Sequence, residues 1–184
     1  MIIKSIEKVL NLHEREGVII KKDGSFELYH CDYSRDDRKI GEPYLFKAGC
    51  VSEQIKTVGI YTCTGIFWEN SEDIVLAHLF EAKDFKHIMP ILWNLSKTNS
   101  GKTPSSIQII ESYNKQEFTN KLLSELKIQT IPVNTFLGQS YPSLGSIYID
   151  LIKNTVEINP GINQQTIPLE FRLSKPMPYA LSIL

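Results

Sequence analysis

The feature that most narrows what this chain can fold into is a pair of dense β-branched and aromatic runs. They are Val58–Trp68 and Ile74–Phe80, separated by the polar stretch Glu69-Asn70-Ser71-Glu72-Asp73. Such runs with polar punctuation between them read as two strands joined by a turn. Upstream, Val18–Lys21 and Phe26–His30 flank Lys22-Asp23-Gly24-Ser25, and Asp-Gly between β-rich runs predicts a hairpin. Earlier still, Ile2, Ile3, Ile6, Val9, Leu10 and Leu12 fall at roughly helical spacing, which predicts a short helix over Ile2–Arg15 that Gly17 ends. The charged run Asp32–Lys39 reads as a solvated loop.

Downstream, Phe85, Ile88, Met89, Leu92, Trp93 and Leu95 predict a helix over Phe85–Leu95 that begins or bends at Pro90. Ser105–Glu111 reads as a buried strand. Lys115–Leu126 reads as a helix with Phe118, Leu122, Leu123 and Leu126 on one face and Asn114 at its N-cap. Gln129–Phe136 is expected as a strand, Ile147–Ile152 and Val156–Ile158 as a hairpin around Lys153-Asn154-Thr155, and Pro168–Leu173 as a last strand. This order predicts an α/β (α+β) chain, a layered, sandwich-like sheet with flanking helices. Neither a repeat nor a Pro/Gly/Ser linker interrupts it, so residues 1–184 read as one domain.

Charge excludes some partners. With 20 basic and 21 acidic side chains the net charge is −1, which offers no electrostatic case for nucleic acid or an anionic membrane surface. No apolar run is long enough to cross a bilayer. Lys4, Glu7, Lys8, Glu14, Arg15 and Glu16 interrupt the apolar residues at the N-terminus, so a Sec signal is not expected there. The three cysteines, Cys31, Cys50 and Cys63, are odd in number and irregularly spaced, which argues against a disulfide framework and for a reducing compartment. There is no Cys-x-x-Cys, and His13, His30, His78 and His87 do not pair at ligand spacing, so no structural zinc is expected. Asn99–Thr103 contains Gly-Lys-Thr without the leading glycine of a phosphate loop, and reads as a plain loop.

A nucleophilic cysteine needs a base, a group to orient that base, and donors for the oxyanion. Thr57 lies six positions before Cys63. On one extended strand that even offset puts both side chains on the same face. His78 lies fifteen residues after Cys63, in the next expected strand, where a sulfur and an imidazole can meet across neighbours. Each residue alone also has a structural explanation. Cysteine in an apolar strand is commonly core, and a histidine within Val-Leu-Ala-His-Leu-Phe suits a ring bonded to a backbone carbonyl. Cys31 and Cys50 read as bystanders, since adjacent His30 and Cys31 on a strand point to opposite faces.

The segment Thr57…Cys63…Ala77-His78-Leu79 resembles the Thr–Cys–His arrangement of the chemoreceptor glutamine deamidases (CheD). It is also similar to two bacterial toxins, the Burkholderia lethal factor and the catalytic domain of cytotoxic necrotizing factor. The resemblance spans about residues 50–160 by order of elements and about 25 residues by motif. The first 50 residues form an N-terminal extension without a counterpart. The chain also differs locally. It has Tyr61-Thr62-Cys63 where the chemoreceptor enzymes carry Gly-Ser-Cys, and Ile74-Val75-Leu76 where they carry Gly-Gly shortly before the histidine.

The resemblance implies a CheD-like fold and a cysteine-dependent conversion of a protein glutamine to glutamate through a thioester, with no metal or organic cofactor. Cys63 would be the nucleophile, His78 the base, and Thr57 the group orienting the ring. Backbone N–H groups around Thr62 and Thr64 would receive the oxyanion. The partner implied is a protein substrate, with Phe67, Trp68 and Tyr141 near the mouth of the site. The protein would work as a monomer in the bacterial cytoplasm, or as a toxin or effector carried into a host cell without a Sec signal. Two other readings fit the same residues. One is a transglutaminase using the same acyl-enzyme, and the other is a non-catalytic protein-binding module in which Cys63 and His78 merely pack.

Overall fold

The computed structural model describes residues 5–31, 43–101, 103–112, 120–121, 123–124, 126–127, 131–138 and 145–174. Eleven strands and one long helix are built from them: β1 (Ser5–Leu12), β2 (Glu16–Lys21), β3 (Ser25–His30), β4 (Tyr44–Ile60), β5 (Thr64–Glu69), β6 (Asp73–Leu79), α1 (Ala82–Ser100), β7 (Ile107–Ser112), β8 (Val133–Gly138), β9 (Gly145–Asp150), β10 (Thr155–Asn159) and β11 (Gln165–Pro168). The architecture is α+β and mostly strand, in one curled mixed sheet ordered β11-β10-β9-β4-β3-β2-β6-β5-β7-β8, with β1 also paired to β4.

The curl originates in β4. Its first half pairs with β3 and its second half with β9, while β1 runs parallel along it from Gly49 to Thr57. Val51 donates its N–H to Gly24, and Glu53 accepts from the N–H of Leu151, each at 2.8 Å. Residues two apart on a strand aim their backbone groups at the same edge, so β3 and β9 share one edge of β4 and diverge from it. The two halves of the sheet then fold toward each other over an apolar interior containing Val18, Ile20, Phe26, Ile55, Ile60, Ile74, Leu76, Ile147 and Phe171. A second apolar layer, with Ile19, Ile66, Trp68, Val75 and Ala77, lies on the outer face beneath α1.

The helix is specified locally. The Asp84 carboxylate accepts the N–H groups of Phe80 and Glu81 at 2.9 and 2.8 Å, satisfying donors at the helix start. Gly101 ends it in the left-handed region at φ 61, its N–H bonded to Lys97. Phe85, Ile88, Met89, Leu92 and Trp93 are buried on one face, and Pro90 is accommodated inside. A methyl group on Gly17 would fall 2.6 Å from Ile88 and 2.7 Å from Leu92, so its bare backbone admits the helix against β2. Gly17 therefore works as a packing position within a strand, not as the end of a helix.

Several expectations from the sequence are corrected. Residues 5–12 are strand, not helix. Their pairing is with β4, more than forty positions away, and a non-local ladder leaves no trace in the local spacing. Val58–Trp68 is two elements: Gly59 takes φ 79, residues 61–63 bend, and the chain restarts as β5. Thr57 and Cys63 therefore do not share a strand. The last strand is Gln165–Pro168, because only these residues pair with β10, and Pro168 closes the ladder where 168–173 was expected to form one. Helix α1 runs through Asn99 and Ser100, so the expected loop begins only at Gly101. Asp32–Lys39, Asn114 and most of 115–126 lie outside the described residues, although 120–121 and 123–124 are helical. The hairpins at Asp23-Gly24 and at Lys153-Asn154 form as expected.

Candidate functional site

Thr57 and His78 meet inside the curl. Thr57 lies on β4 opposite Leu12, and His78 lies on β6 opposite Gly65 of β5 and Glu16 of β2. The Thr57 hydroxyl donates to the Leu12 carbonyl at 3.0 Å and sits 2.7 Å from His78 Nδ1. A carbonyl can only accept, so the single hydroxyl hydrogen is committed to Leu12. Nδ1 must then carry the ring proton and donate it to Thr57 Oγ1. Nε2 is left as the unprotonated nitrogen, and this buried atom has no hydrogen-bond partner among the described residues. A neutral imidazole held by Nδ1–H with an unengaged Nε2 lone pair is the state a general base requires.

The surroundings keep the ring neutral. Burial, the largest cause, and the neighbouring His13 lower the His78 pKa to about 4, against a smaller opposing pull from the Asp84 carboxylate. The turn between β1 and β2 is tied to the backbone of this residue. Arg15, in the left-handed region at φ 67, donates its N–H to the His78 carbonyl at 2.7 Å. The buried Glu16 carboxylate accepts the His13 N–H at 2.7 Å. A half-open cleft of about 410 Å³ reaches His78 from outside, lined also by Asn11, His13, Glu14, Lys56, Val58 and Gly59.

Cys63 is placed differently. It ends the 61–63 bend, is 2% exposed, and packs in the inner apolar layer with Ile60, Phe67 and Ile110. Its neighbour strand is the one carrying His78, as the sequence suggested, since β5 and β6 are antiparallel partners. In this resting arrangement no thiol–imidazole hydrogen bond forms, because Nε2 has no partner, and Cys63 does not line the cleft. Thr62 is exposed on the bend. Thr64 opens β5, its buried hydroxyl without a partner among the described residues. Phe67 and Trp68 are 3% and 1% exposed and fill the inner and outer apolar layers, so neither stands at a mouth; alternating strand residues of a sheet covered on both faces are both core. Tyr141 lies outside the described residues. Cys31 and Cys50 are buried, and none of the three cysteines forms a disulfide.

Sequence reasoning missed Leu12, His13, Glu16 and Lys56. Their part in the site follows from the parallel β1–β4 ladder, which the helical reading of residues 2–15 concealed. Glu16 carried the one available signal, a carboxylate beside an apolar run that turns out to be buried.

No protein-family model matches the chain, and no curated protein matches it. Among the described residues, no helix is long and apolar enough to cross a membrane, and no three His, Cys, Asp or Glu side chains gather as metal ligands.

Proposed function

We propose that this protein is a cysteine-dependent protein glutamine deamidase of CheD-like fold, acting through Cys63, His78 and Thr57. The observation that carries this reading is the 2.7 Å contact between Thr57 Oγ1 and His78 Nδ1, in which the hydroxyl's commitment to Leu12 frees Nε2 as a base. Because burial disfavours the imidazolium, proton transfer to His78 accompanies the attack in this account. His78 Nε2 takes the thiol proton, and Cys63 Sγ forms a bond to the glutamine carboxamide carbon. Backbone N–H groups at Thr62–Thr64 receive the oxyanion. The imidazolium returns the proton to the departing ammonia, leaving a thioester. Water then adds with the same base and releases glutamate and the thiol. In this account the bend at 61–63, entered through Gly59 and bearing the exposed Tyr61 and Thr62, adjusts to bring Sγ onto Nε2 when substrate binds. Such contacts commonly tighten only in the substrate complex.

The test is mass spectrometry of glutamine-containing peptides and unfolded proteins after incubation with the wild-type protein, Cys63→Ala and His78→Ala. Glutamate appearing with the wild type alone supports the reading, and adducts on added primary amines show transglutamination through the same thioester. Product that persists with Cys63→Ala, or no product with any protein, overturns it.

A second reading is favoured by the burial of Cys63 among apolar side chains. Here the domain is a non-catalytic binding module, and its Cys63 thiol reacts with iodoacetamide no faster than those of Cys31 and Cys50.

A further inference from the structure

Of the two side chains lining the cleft that carry a fixed charge, Glu14 and Lys56, only Glu14 has a partner among the described residues. Glu14 stands 3.8 Å from the Arg15 guanidinium, which is itself 3.3 Å from Glu81. His13 is tied through its backbone to Glu16, and His78 is neutral and held by Thr57. Lys56, on β4 between Asn11 of β1 and Tyr148 of β9, lines the same cleft with no ion pair or hydrogen bond among the described residues. It precedes Thr57 on the strand, so its side chain projects outward while the Thr57 hydroxyl projects inward to the ring. Val58 beside it is 63% exposed, so this part of β4 presents an apolar side chain and an ammonium together at the cleft.

Resting on the deamidase reading, we propose that Lys56 is a specificity-determining residue that selects a carboxylate close to the target carboxamide. Among the described residues lining the cleft, the one carboxylate, Glu14, stands 3.8 Å from Arg15, so Lys56 is the charge an incoming segment meets there without a partner. A ligand carboxylate supplies the counter-charge that the described residues do not, and a ligand cation meets the Lys56 ammonium instead. Two sources offer this chemistry: an acidic residue flanking the glutamine in a polypeptide, and the α-carboxylate of free glutamine. Interactions of partly exposed ion pairs reach about 1 kcal/mol, which corresponds to about fivefold in kcat/KM, shrinking as salt is raised.

The experiment measures kcat/KM for ammonia release from three peptides that differ only beside the glutamine, where they carry Glu, Ala or Lys, and from free glutamine. The proteins are wild type, Lys56→Ala and Lys56→Glu, with folding verified by thermal melts. The wild type is expected to favour the Glu peptide over the Lys peptide by about fivefold or more. The ratio should fall to about one in Lys56→Ala and invert in Lys56→Glu. Turnover of free glutamine at a rate matching the Glu peptide, lost in the same variants, assigns the carboxylate to the substrate's own α-carboxylate. A wild-type ratio near one, or a preference that survives in Lys56→Ala, overturns the role of Lys56 and leaves the deamidase reading standing. Absence of ammonia release from every substrate overturns the deamidase reading, and this proposal with it.

Discussion

The backbone N–H of Arg15 donates to the carbonyl of His78 at 2.7 Å, so the turn that follows β1 is anchored on the strand residue whose ring Thr57 holds. Leu12 of the same segment accepts the Thr57 hydroxyl at 3.0 Å. One short stretch, residues 12–16, thus holds the His78 backbone and, through Thr57, sets the tautomer of its ring. Arg15 pays for its left-handed backbone with a guanidinium that reaches Glu81 and lies 5.4 Å from the centre of the Phe80 ring.

Removing the Thr57 hydroxyl should leave two buried polar groups without partners, the Leu12 carbonyl and His78 Nδ1–H. Thr57→Val, which keeps the shape of the side chain, is expected to lower stability by about 1–3 kcal/mol in denaturant titrations, whereas Thr57→Ser should lose less. In nitrogen NMR of the imidazole, the wild type should show the Nδ1–H tautomer. A predominantly Nε2–H signal would refute the assigned hydrogen-bond directions.

Stability should fall on the acid side because of His78. Burial holds its folded pKa at about 4 against an ordinary 6.5, so between these values the unfolded chain binds a proton that the native state refuses. The contribution is complete above pH 6.5, is lost as pH falls through that window, and levels off near 4; its size is on the order of 3 kcal/mol. Asp73 acts in the opposite sense. Burial raises its pKa from 3.8 to about 6, so its contribution is complete below 3.8 and is lost as pH rises toward 6. In melting temperature against pH, His78→Gln should flatten the acid-side decline and Asp73→Asn should steepen it. Parallel profiles for all three proteins would contradict both assignments.

The close approach of the two halves of the sheet can be probed at two glycines. A methyl group at Gly65 would fall 2.4 Å from the end of the Ile60 side chain and 3.1 Å from that of Ile147. At Gly145 it would meet the carbonyl oxygen of Ile60, its pairing partner on β4, at 2.9 Å, and across the interior the Ile110 side chain at 3.2 Å. Side-chain ends yield more readily than backbone, so Gly145→Ala should destabilise more than Gly65→Ala, with Gly65→Ala costing about 1–3 kcal/mol. Denaturation midpoints in the reverse order would show that the interface is looser than the geometry indicates.

Glu69 fastens the segment after β11 to the end of β5. Its two carboxylate oxygens accept the N–H groups of Glu170 and Phe171, each at 2.9 Å, and Phe171 is buried in the inner layer. Glu69→Ala is expected to accelerate hydrogen exchange at the amides of residues 170 and 171 before it does so elsewhere, with a stability loss of about 1–3 kcal/mol. Unchanged exchange at those two amides would count against the latch.

The elements legible in the sequence are those whose causes are local. Asp23-Gly24 supplies the hairpin between β2 and β3, with Gly24 at φ 82. Lys153-Asn154 supplies the hairpin between β9 and β10, with Asn154 at φ 55. The spacing of Phe85, Ile88, Met89 and Leu92 supplies the buried face of α1. The neighbourhood of β5 and β6 was legible for the same reason, a short polar turn between apolar runs. The even offset that would set Thr57 and Cys63 on one face of one strand fails, since it crosses the break at Gly59; the contact of Thr57 with His78 joins β4 to β6 and has no local signal of its own.

By itself, the order of side chains determined which segments are apolar on one face or both, where the chain can turn, and which groups could act as nucleophile or base. Folding in three dimensions decided the rest. It made residues 5–12 a strand by offering them the free edge of β4, and it brought Leu12, Thr57 and His78 together from three strands. It also buried Cys63 away from hydrogen-bonding contact with the ring and left Lys56 without a partner among the described residues at the cleft. The reason is physical: a turn or an amphipathic face is specified by residues within a few positions of one another, whereas parallel pairing, burial and the choice of tautomer depend on partners that only the curl of the sheet brings within reach.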